Sequence, residues 1–220
     1  NDEGGNRAGQ TYLIFGKASG WSMDTGLSTS DASFWGENAG ESSGESLSSA
    51  GDVNGDGYDD ILIGVSENSE AGGWAGQTYL IFGKASGWSM DTDLSTSEAS
   101  FLGENADDHS GCSIAGAGDV NGDGYDDILI AADYNDDGGS NTGQTYLILG
   151  KSSSWYMDIS LSASDASFQG ADLYDFSGIS VAGAGDVNGD GHDDILIGAL
   201  HNDSGGSSAG QTYLIFPEHN

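Results

Sequence analysis

The chain repeats itself every 67 residues. The segment Asp52-Val53-Asn54-Gly55-Asp56-Gly57 returns from Asp119 and again from Asp186. Gly9-Gln10-Thr11-Tyr12-Leu13-Ile14 returns at the same step from Gly76, Gly143 and Gly210. Trp21, Trp88 and Trp155 keep the step, as do Phe34, Phe101 and Phe168. A fixed period of this kind means supersecondary units that bury their apolar faces against one another. The composition agrees: 36 % hydrophobic residues is little for one deep core but enough for thin repeated layers.

The unit reads as strands. Ile61-Leu62-Ile63, Ile128-Leu129-Ile130 and Ile195-Leu196-Ile197 are short β-branched runs bounded by Asp and by Gly or Ala. The Gln-Thr-Tyr-Leu-Ile-Phe runs at 10–15 and 77–82 are similar. Apolar residues at successive positions predict burial on both faces, as in a blade pressed between two neighbours. No stretch sustains a helical period, and Gly and Ser interrupt throughout. Four strands per unit are expected. A small-residue strand such as Ser113-Ile114-Ala115-Gly116-Ala117 comes first, then an acidic loop and the Ile-Leu-Ile strand. A variable loop and the Gln-Thr-Tyr-Leu-Ile strand follow, and a connector with Trp and Met leads to a last strand around Phe101.

This is an all-β chain of β-propeller-type blades, each of four antiparallel strands, with about three blades in all. It is expected to be one repeat domain over 1–220. The units span about 37–103, 104–170 and 171–220, the last completed by 9–36. The chain opens with strands three and four of a unit and ends with strands one, two and three. The opening third strand, 9–16, is then surplus, because 210–216 fill that role. Propellers have about 4–8 blades. The chain is therefore expected to be part of a longer array or to be completed by another chain.

Asp and Glu number 36 against 4 Lys and Arg, giving a net charge of −32. Nucleic acid and anionic membranes are excluded as partners, because binding either needs Lys and Arg to neutralise phosphate. Cations are favoured. Cys112 is the only cysteine, so no intrachain disulfide forms. The apolar runs are far too short for a spanning helix.

The acids are not scattered. Each recurring loop reads Asp-x-Asn-x-Asp-Gly-x-Asp-Asp. Oxygen-bearing side chains at alternate positions of a tight turn point to one side, and Gly at position six permits the bend. The carbonyl of position seven adds a neutral oxygen. This is the hard-oxygen donor set that Ca²⁺ requires. The expected ligands are Asp52, Asn54, Asp56 and Asp60, then Asp119, Asn121, Asp123 and Asp127, then Asp186, Asn188, Asp190 and Asp194. Tyr58, Tyr125 and His192 contribute backbone carbonyls only. Three Ca²⁺ sites follow. The helical EF-hand shares the first half of the loop but needs Glu at position twelve. Position twelve here is Ile63, Ile130 or Ile197, inside an apolar run, so the loop belongs to a β-hairpin.

The combination resembles the FG-GAP repeat family, which forms the propeller of integrin α-subunits and of related bacterial and archaeal surface proteins. The matching residues are Phe34/Gly36, Phe101/Gly103 and Phe168/Gly170, the acidic loops and the Ile-Leu-Ile strands. The resemblance implies calcium between strands one and two at one propeller face, and ligand contacts in loops of the other. The Gly-Ala-Pro that names the family is replaced by Gly64-Val65-Ser66, Ala131-Ala132-Asp133 and Gly198-Ala199-Leu200.

The first functional expectation is an extracellular or cell-surface module for adhesion or for protein or glycan interaction, stabilised by calcium. Its variable loops are Glu67-Asn68-Ser69-Glu70, Tyr134-Asn135-Asp136-Asp137 and His201-Asn202-Asp203. The alternative is a structural subunit that assembles head-to-tail through incomplete blades. A hydrolase or lyase is disfavoured. His109, His192, His201 and His219 share no repeat position. Trp21, Trp88 and Trp155 are expected to pack between blades. Lys17, Lys84 and Lys151 are expected as surface or strand-end charges, and Cys112 as a tolerated free thiol.

Overall fold

A computed structural model describes residues 5–217. The strands are β1 (Gln10–Leu13), β2 (Ala32–Trp35), β3 (Ser46–Gly51), β4 (Asp60–Val65), β5 (Gln77–Ile81), β6 (Thr92–Asp93), β7 (Ala99–Leu102) and β8 (Ser113–Gly118). They continue with β9 (Asp127–Ala132), β10 (Gln144–Ile148), β11 (Ile159–Ser160), β12 (Ala166–Gln169), β13 (Ser177–Gly185), β14 (Asp194–Ala199) and β15 (Gln211–Ile215). Among the described residues, helix is confined to single 3₁₀ turns at Leu27–Thr29, Leu94–Thr96 and Leu161–Ala163. The Gly- and Ser-rich sequence supports nothing longer.

The strands form four sheets in the orders β1-β2-β6, β11-β7-β5-β4-β3, β12-β10-β9-β8 and β13-β14-β15. The second and third are full four-stranded antiparallel blades, with β11 added at the outer edge of the second. The first holds strands three and four of a unit, and the last holds one, two and three. No strand of the first sheet pairs with the last among the described residues. The ring is open. Within one chain β2 pairs with β1, Phe34 opposite Thr11 and Ala32 opposite Leu13. Among the described residues it does not reach β15, which pairs with β14. The reason is local, since β1 and β2 form an antiparallel pair joined by their own connector.

The middle strands explain the stacking. Every residue of β9 and of β5 is buried. Alternate side chains of β4 enter different cores. Leu62 packs with Ala50, Val53 and Leu80 against Ile114, Ile128 and Ile130 of the third sheet. Ile63 faces the other way, with Val65, Tyr79 and Ile81, onto Ala32 and Phe34 of the first. Leu129 similarly leaves its neighbours Ile128 and Ile130 to pack with Val181, Ile195 and Ile197 of the last sheet. Burying one such aliphatic side chain contributes about 1.5–3 kcal/mol.

The glycine of each Phe-x-Gly has a packing reason. A Cβ on Gly36, Gly103 or Gly170 would lie 2.2, 2.0 or 2.0 Å from the carbonyl oxygen of Ala8, Ala75 or Thr142. Only glycine permits that approach.

Two of the recurring tryptophans, Trp88 and Trp155, are plugs between blades; Trp21, expected to pack in the same way, is exposed because no blade precedes its own sheet among the described residues. Trp88 meets Phe15 and Phe34 of the first sheet edge-on, with ring centroids 6.1 and 6.3 Å away. Trp155 meets Phe82 and Phe101 of the second in the same way, at 6.2 and 6.3 Å. The connector then adds a short parallel strand to the preceding blade, β6 on β2 and β11 on β7. The lysines are more than strand-end charges. Lys17, Lys84 and Lys151 each place the ammonium over the Trp four residues on, at 5.1, 4.8 and 4.8 Å from the ring. Trp21 is 61 % exposed. Trp88→Ala and Trp155→Ala should each lower stability by about 2–3 kcal/mol in urea unfolding. Trp21→Ala should change it by less than about 0.5 kcal/mol.

Candidate metal centre

Each acidic loop joins strand one to strand two of a blade and is built by its own side chains. In the first, Asp52 Oδ1 accepts the N–H groups of Gly55 and Asp56 at 2.8 and 3.0 Å, and Oδ2 accepts that of Gly57 at 2.8 Å. Asn54 Oδ1 accepts from Asp56 N–H, and Asp56 Oδ1 from Tyr58 N–H. Gly57 sits at φ +91°, in the left-handed region that the sharp bend requires. The second and third loops copy this. Asp119 accepts from Gly122, Asp123 and Gly124, and Asp186 from Gly189, Asp190 and Gly191. Asn121 and Asn188 accept from Asp123 and Asp190. The carboxylates of Asp123 and Asp190 accept from Tyr125 and His192 N–H.

The ninth residue lies beneath the turn. Asp60, Asp127 and Asp194 are fully buried. Asp60 Oδ2 accepts from Val53 N–H at 3.1 Å, and Oδ1 from Gly83 N–H, at the end of strand three, at 2.7 Å. Asp127 holds Val120 and Gly150 in the same way. Burial pushes the carboxyls of Asp60 and Asp127 up to about 6, and Asp52 with Asp56, or Asp119 with Asp123, adds to the rise. The N–H donors oppose it.

Asp194 departs from the pattern. Its Oδ2 accepts from Val187 N–H, but its buried Oδ1 has no partner. The position that Gly83 and Gly150 fill is occupied by Pro217, which has no N–H.

The predicted positions therefore gather on one turn in each unit, with Asp60, Asp127 or Asp194 at its base. Among the described residues no three His, Cys, Asp or Glu side chains converge into a metal cluster. The donor chemistry nevertheless fits a hard cation. Each loop offers only oxygen donors, and the unpartnered Asp194 Oδ1 is a buried acceptor without a proton donor.

The other end of the sheets carries the loops between strands two and three and between successive blades. These are tied together by a buried asparagine. Asn68, Asn135 and Asn202 donate to Glu41, Asp108 and Asp175 at 2.9, 2.9 and 2.7 Å. Around this fixed pair, unrepeated aromatic side chains form a row. Trp74 meets His109 at 5.8 Å, His109 stacks on Tyr134 at 4.8 Å, and Tyr134 meets Phe176 at 5.1 Å, which meets His201 at 5.3 Å. Trp74 and Tyr134 are exposed. His219 lies outside the described residues.

The FG-GAP repeat profile matches residues 43–81, 113–148 and 177–215, which takes in every acidic loop and the strands on either side of it. The chain belongs to the FG-GAP repeat family. Its similar relatives include integrin alpha-PS2 of Drosophila melanogaster, 30 % identical over 76 % of this chain, and integrin alpha-IIb of Mus musculus, 34 % identical over 67 %. Integrin alpha-4 of Xenopus laevis is 31 % identical over 70 %. The chain spans only 12–14 % of the length of these relatives.

The roles of two features of this FG-GAP chain do not follow from the acidic-loop and variable-loop patterns alone. The invariant Asn68, Asn135 and Asn202 stand inside loops that otherwise vary, and that contrast is their signal. Pro217 breaks a position that is Gly in the earlier copies, which period alone exposes.

The raised carboxyls set a pH dependence. Their folded values, about 6, lie above the ordinary value of 3.8, so the fold favours the protonated form. Stability from this source is gained as pH falls through about 6 and is complete below the unfolded value. In chelator, the melting temperature should rise from pH 7 to pH 5. The double variant Asp60→Asn, Asp127→Asn should flatten the rise in a calorimetric series.

Proposed function

We propose that this chain is a calcium-binding extracellular β-propeller module for adhesion or for protein or glycan interaction, with calcium stabilising the blades. The observation that carries the reading is the threefold recurrence of one oxygen-only loop geometry on the same side of stacked blades. Asp52, Asn54, Asp56, Asp60 and the Tyr58 carbonyl would hold the first ion. Asp119, Asn121, Asp123, Asp127 and the Tyr125 carbonyl would hold the second. Asp186, Asn188, Asp190, Asp194 and the His192 carbonyl would hold the third. A bound ion supplies the positive charge that a chain at −32 lacks. Lacking a bidentate Glu at position twelve, these loops should bind weakly, on the order of 10⁻⁴–10⁻³ M, the range of extracellular calcium modules. No described helix is long and apolar enough to cross a membrane.

Recognition is assigned to the opposite end, where the row from Trp74 to His201 is set on loops pinned by Asn68, Asn135 and Asn202. Exposed aromatic side chains on a rigid scaffold suit protein or glycan surfaces. We read the chain as a binding module and not an enzyme. His109 and His201 belong to the aromatic row, and the His192 ring lies against Gly122.

A second reading, head-to-tail self-association, is favoured by one feature. A groove of about 560 Å³ on the first blades is lined by Leu13, Phe34, Leu47, Ile61 and Trp88. One repeat on, the equivalent space is filled by strands one and two of the preceding blade, through Ala50, Val53 and Leu62. Taking units of 37–103, 104–170 and 171–220, residues 9–36 of one copy would complete the last unit of another.

Calcium at about 2 mM should bind at three ions per chain in calorimetry and raise the melting temperature by about 10 °C over EGTA. Identical melting curves in the two conditions would reject the calcium reading. Light scattering under the same conditions separates the two functions: a monomer supports the first, and a calcium-dependent assembly the second.

A further inference from the structure

Position eight of the acidic loop has no role in its own turn. Side chains at one, three, five and nine serve that turn, and seven offers its carbonyl. Yet Asp stands at position eight in every copy, as Asp59, Asp126 and Asp193.

Its partner is the preceding loop. Asp126 Oδ2 accepts the N–H of Asp52 at 2.8 Å, and Asp126 N–H donates back to the Asp52 carbonyl at 3.2 Å. Asp193 makes the same exchange with Asp119, at 3.0 and 3.1 Å. The residue gripped is the first ligand position of the neighbour, whose carboxylate organises that whole turn.

Position seven adds to the grip through its side chain. The Tyr125 ring lies against Gly55, where a Cβ would come within 2.5 Å of Cε1. The His192 ring lies against Gly122, where a Cβ would come within 2.6 Å of Cε1. Gly51 and Gly118 leave room for the carboxylates: a Cβ there would lie 2.1 and 1.9 Å from Asp126 and Asp193 Oδ2. Lys151 N–H also donates to the Val53 carbonyl at 2.9 Å. The same lock thus occurs at two successive blade junctions, with small residues at the receiving positions.

We propose that positions seven and eight couple neighbouring cation sites, so that ordering one acidic loop orders the preceding one and the three sites fill cooperatively. This rests on the calcium reading above. An ion on the second loop fixes the chain through Asp123, the Tyr125 carbonyl and Asp127. Asp126 and the Tyr125 ring lie within that stretch, so their contacts on Asp52 and Gly55 are fixed with it. The entropic cost of ordering the first loop is then partly met before its own ion arrives, which is positive coupling. Because coupling is reciprocal, an ion on the first loop aids the second equally. Asp126 and Asp193 are positioning residues in this scheme and do not touch the ion.

Asp59 provides an internal control. It has the same charge and loop position, but no acidic loop precedes it among the described residues. The experiment is a Ca²⁺ titration of the full chain by calorimetry and chelator competition, comparing the native sequence with Asp126→Ala and Asp59→Ala. The native chain should bind with a Hill coefficient above 1. Asp126→Ala should detach one site, weakened by roughly fivefold or more, from a still-coupled pair. Asp59→Ala should keep the native cooperativity. If Asp126→Ala fails to fold in calcium, Asp126→Asn replaces it as the readout: it keeps an acceptor oxygen and should preserve the coupling, whereas loss of coupling in a folded Asp126→Asn overturns the scheme. Independent sites in the native chain, or matching isotherms for Asp126→Ala and Asp59→Ala, also overturn the coupling and leave the calcium reading standing. Absence of calcium binding rejects the calcium reading itself.

Discussion

A sheet whose middle strands are apolar on both faces cannot stand alone in water. It must be covered twice, and here the cover is another copy of the same sheet. Leu62 and Ile63 are adjacent in the chain and lie in different cores. That division follows from the two-residue period of a strand. Every other regularity answers to it. Phe-x-Gly glycines bring the chain close enough to stack, Trp88 and Trp155 plug the outer rim, and the connectors add a parallel strand to the blade before them.

Stacking forces the acidic loops into a row, and a row of carboxylates is costly without compensation. The described loops meet this with backbone N–H groups. Asp52 alone takes three, and Asp60 ties the turn to strand three through Gly83. Such bonds lower the cost of each carboxylate but supply no full positive charge. The raised values of Asp60 and Asp127 record the part left uncompensated. Pro217 removes one donor from the third copy and leaves Asp194 Oδ1 bare, so the copies are alike in sequence but not in electrostatics.

The two ends of the blades are organised oppositely. At the acidic end the loop repeats, and the second and third copies grip the preceding one through Asp126 and Asp193. At the other end the pairs made by Asn68, Asn135 and Asn202 repeat, while the aromatic side chains around them differ from unit to unit and form the row. One end holds the blades together by a repeated geometry, and the other carries side chains that differ from unit to unit.

Much of this was legible without coordinates. The 67-residue step determined the blade, its strand order and the acidic loops, because repeats and alternation are local properties of a chain. The twofold burial of Ile128-Leu129-Ile130 was equally plain, and so was the packing role of Trp88 and Trp155, whereas Trp21, given the same role by the repeat, is exposed. Tertiary structure alone decided what crosses between units. Nothing in the sequence says that Asp126 faces Asp52, that the Tyr125 ring covers Gly55, or that β2 stays with β1 instead of reaching β15. Those pairings depend on the rotation between stacked sheets, which no single repeat encodes. Composition likewise gave the −32 charge, but only the fold shows which carboxylates are sheltered by N–H groups and that Asp194 Oδ1 lacks the donor its counterparts have. Hydrogen bonding between residues 74 positions apart is a property of the packed pair.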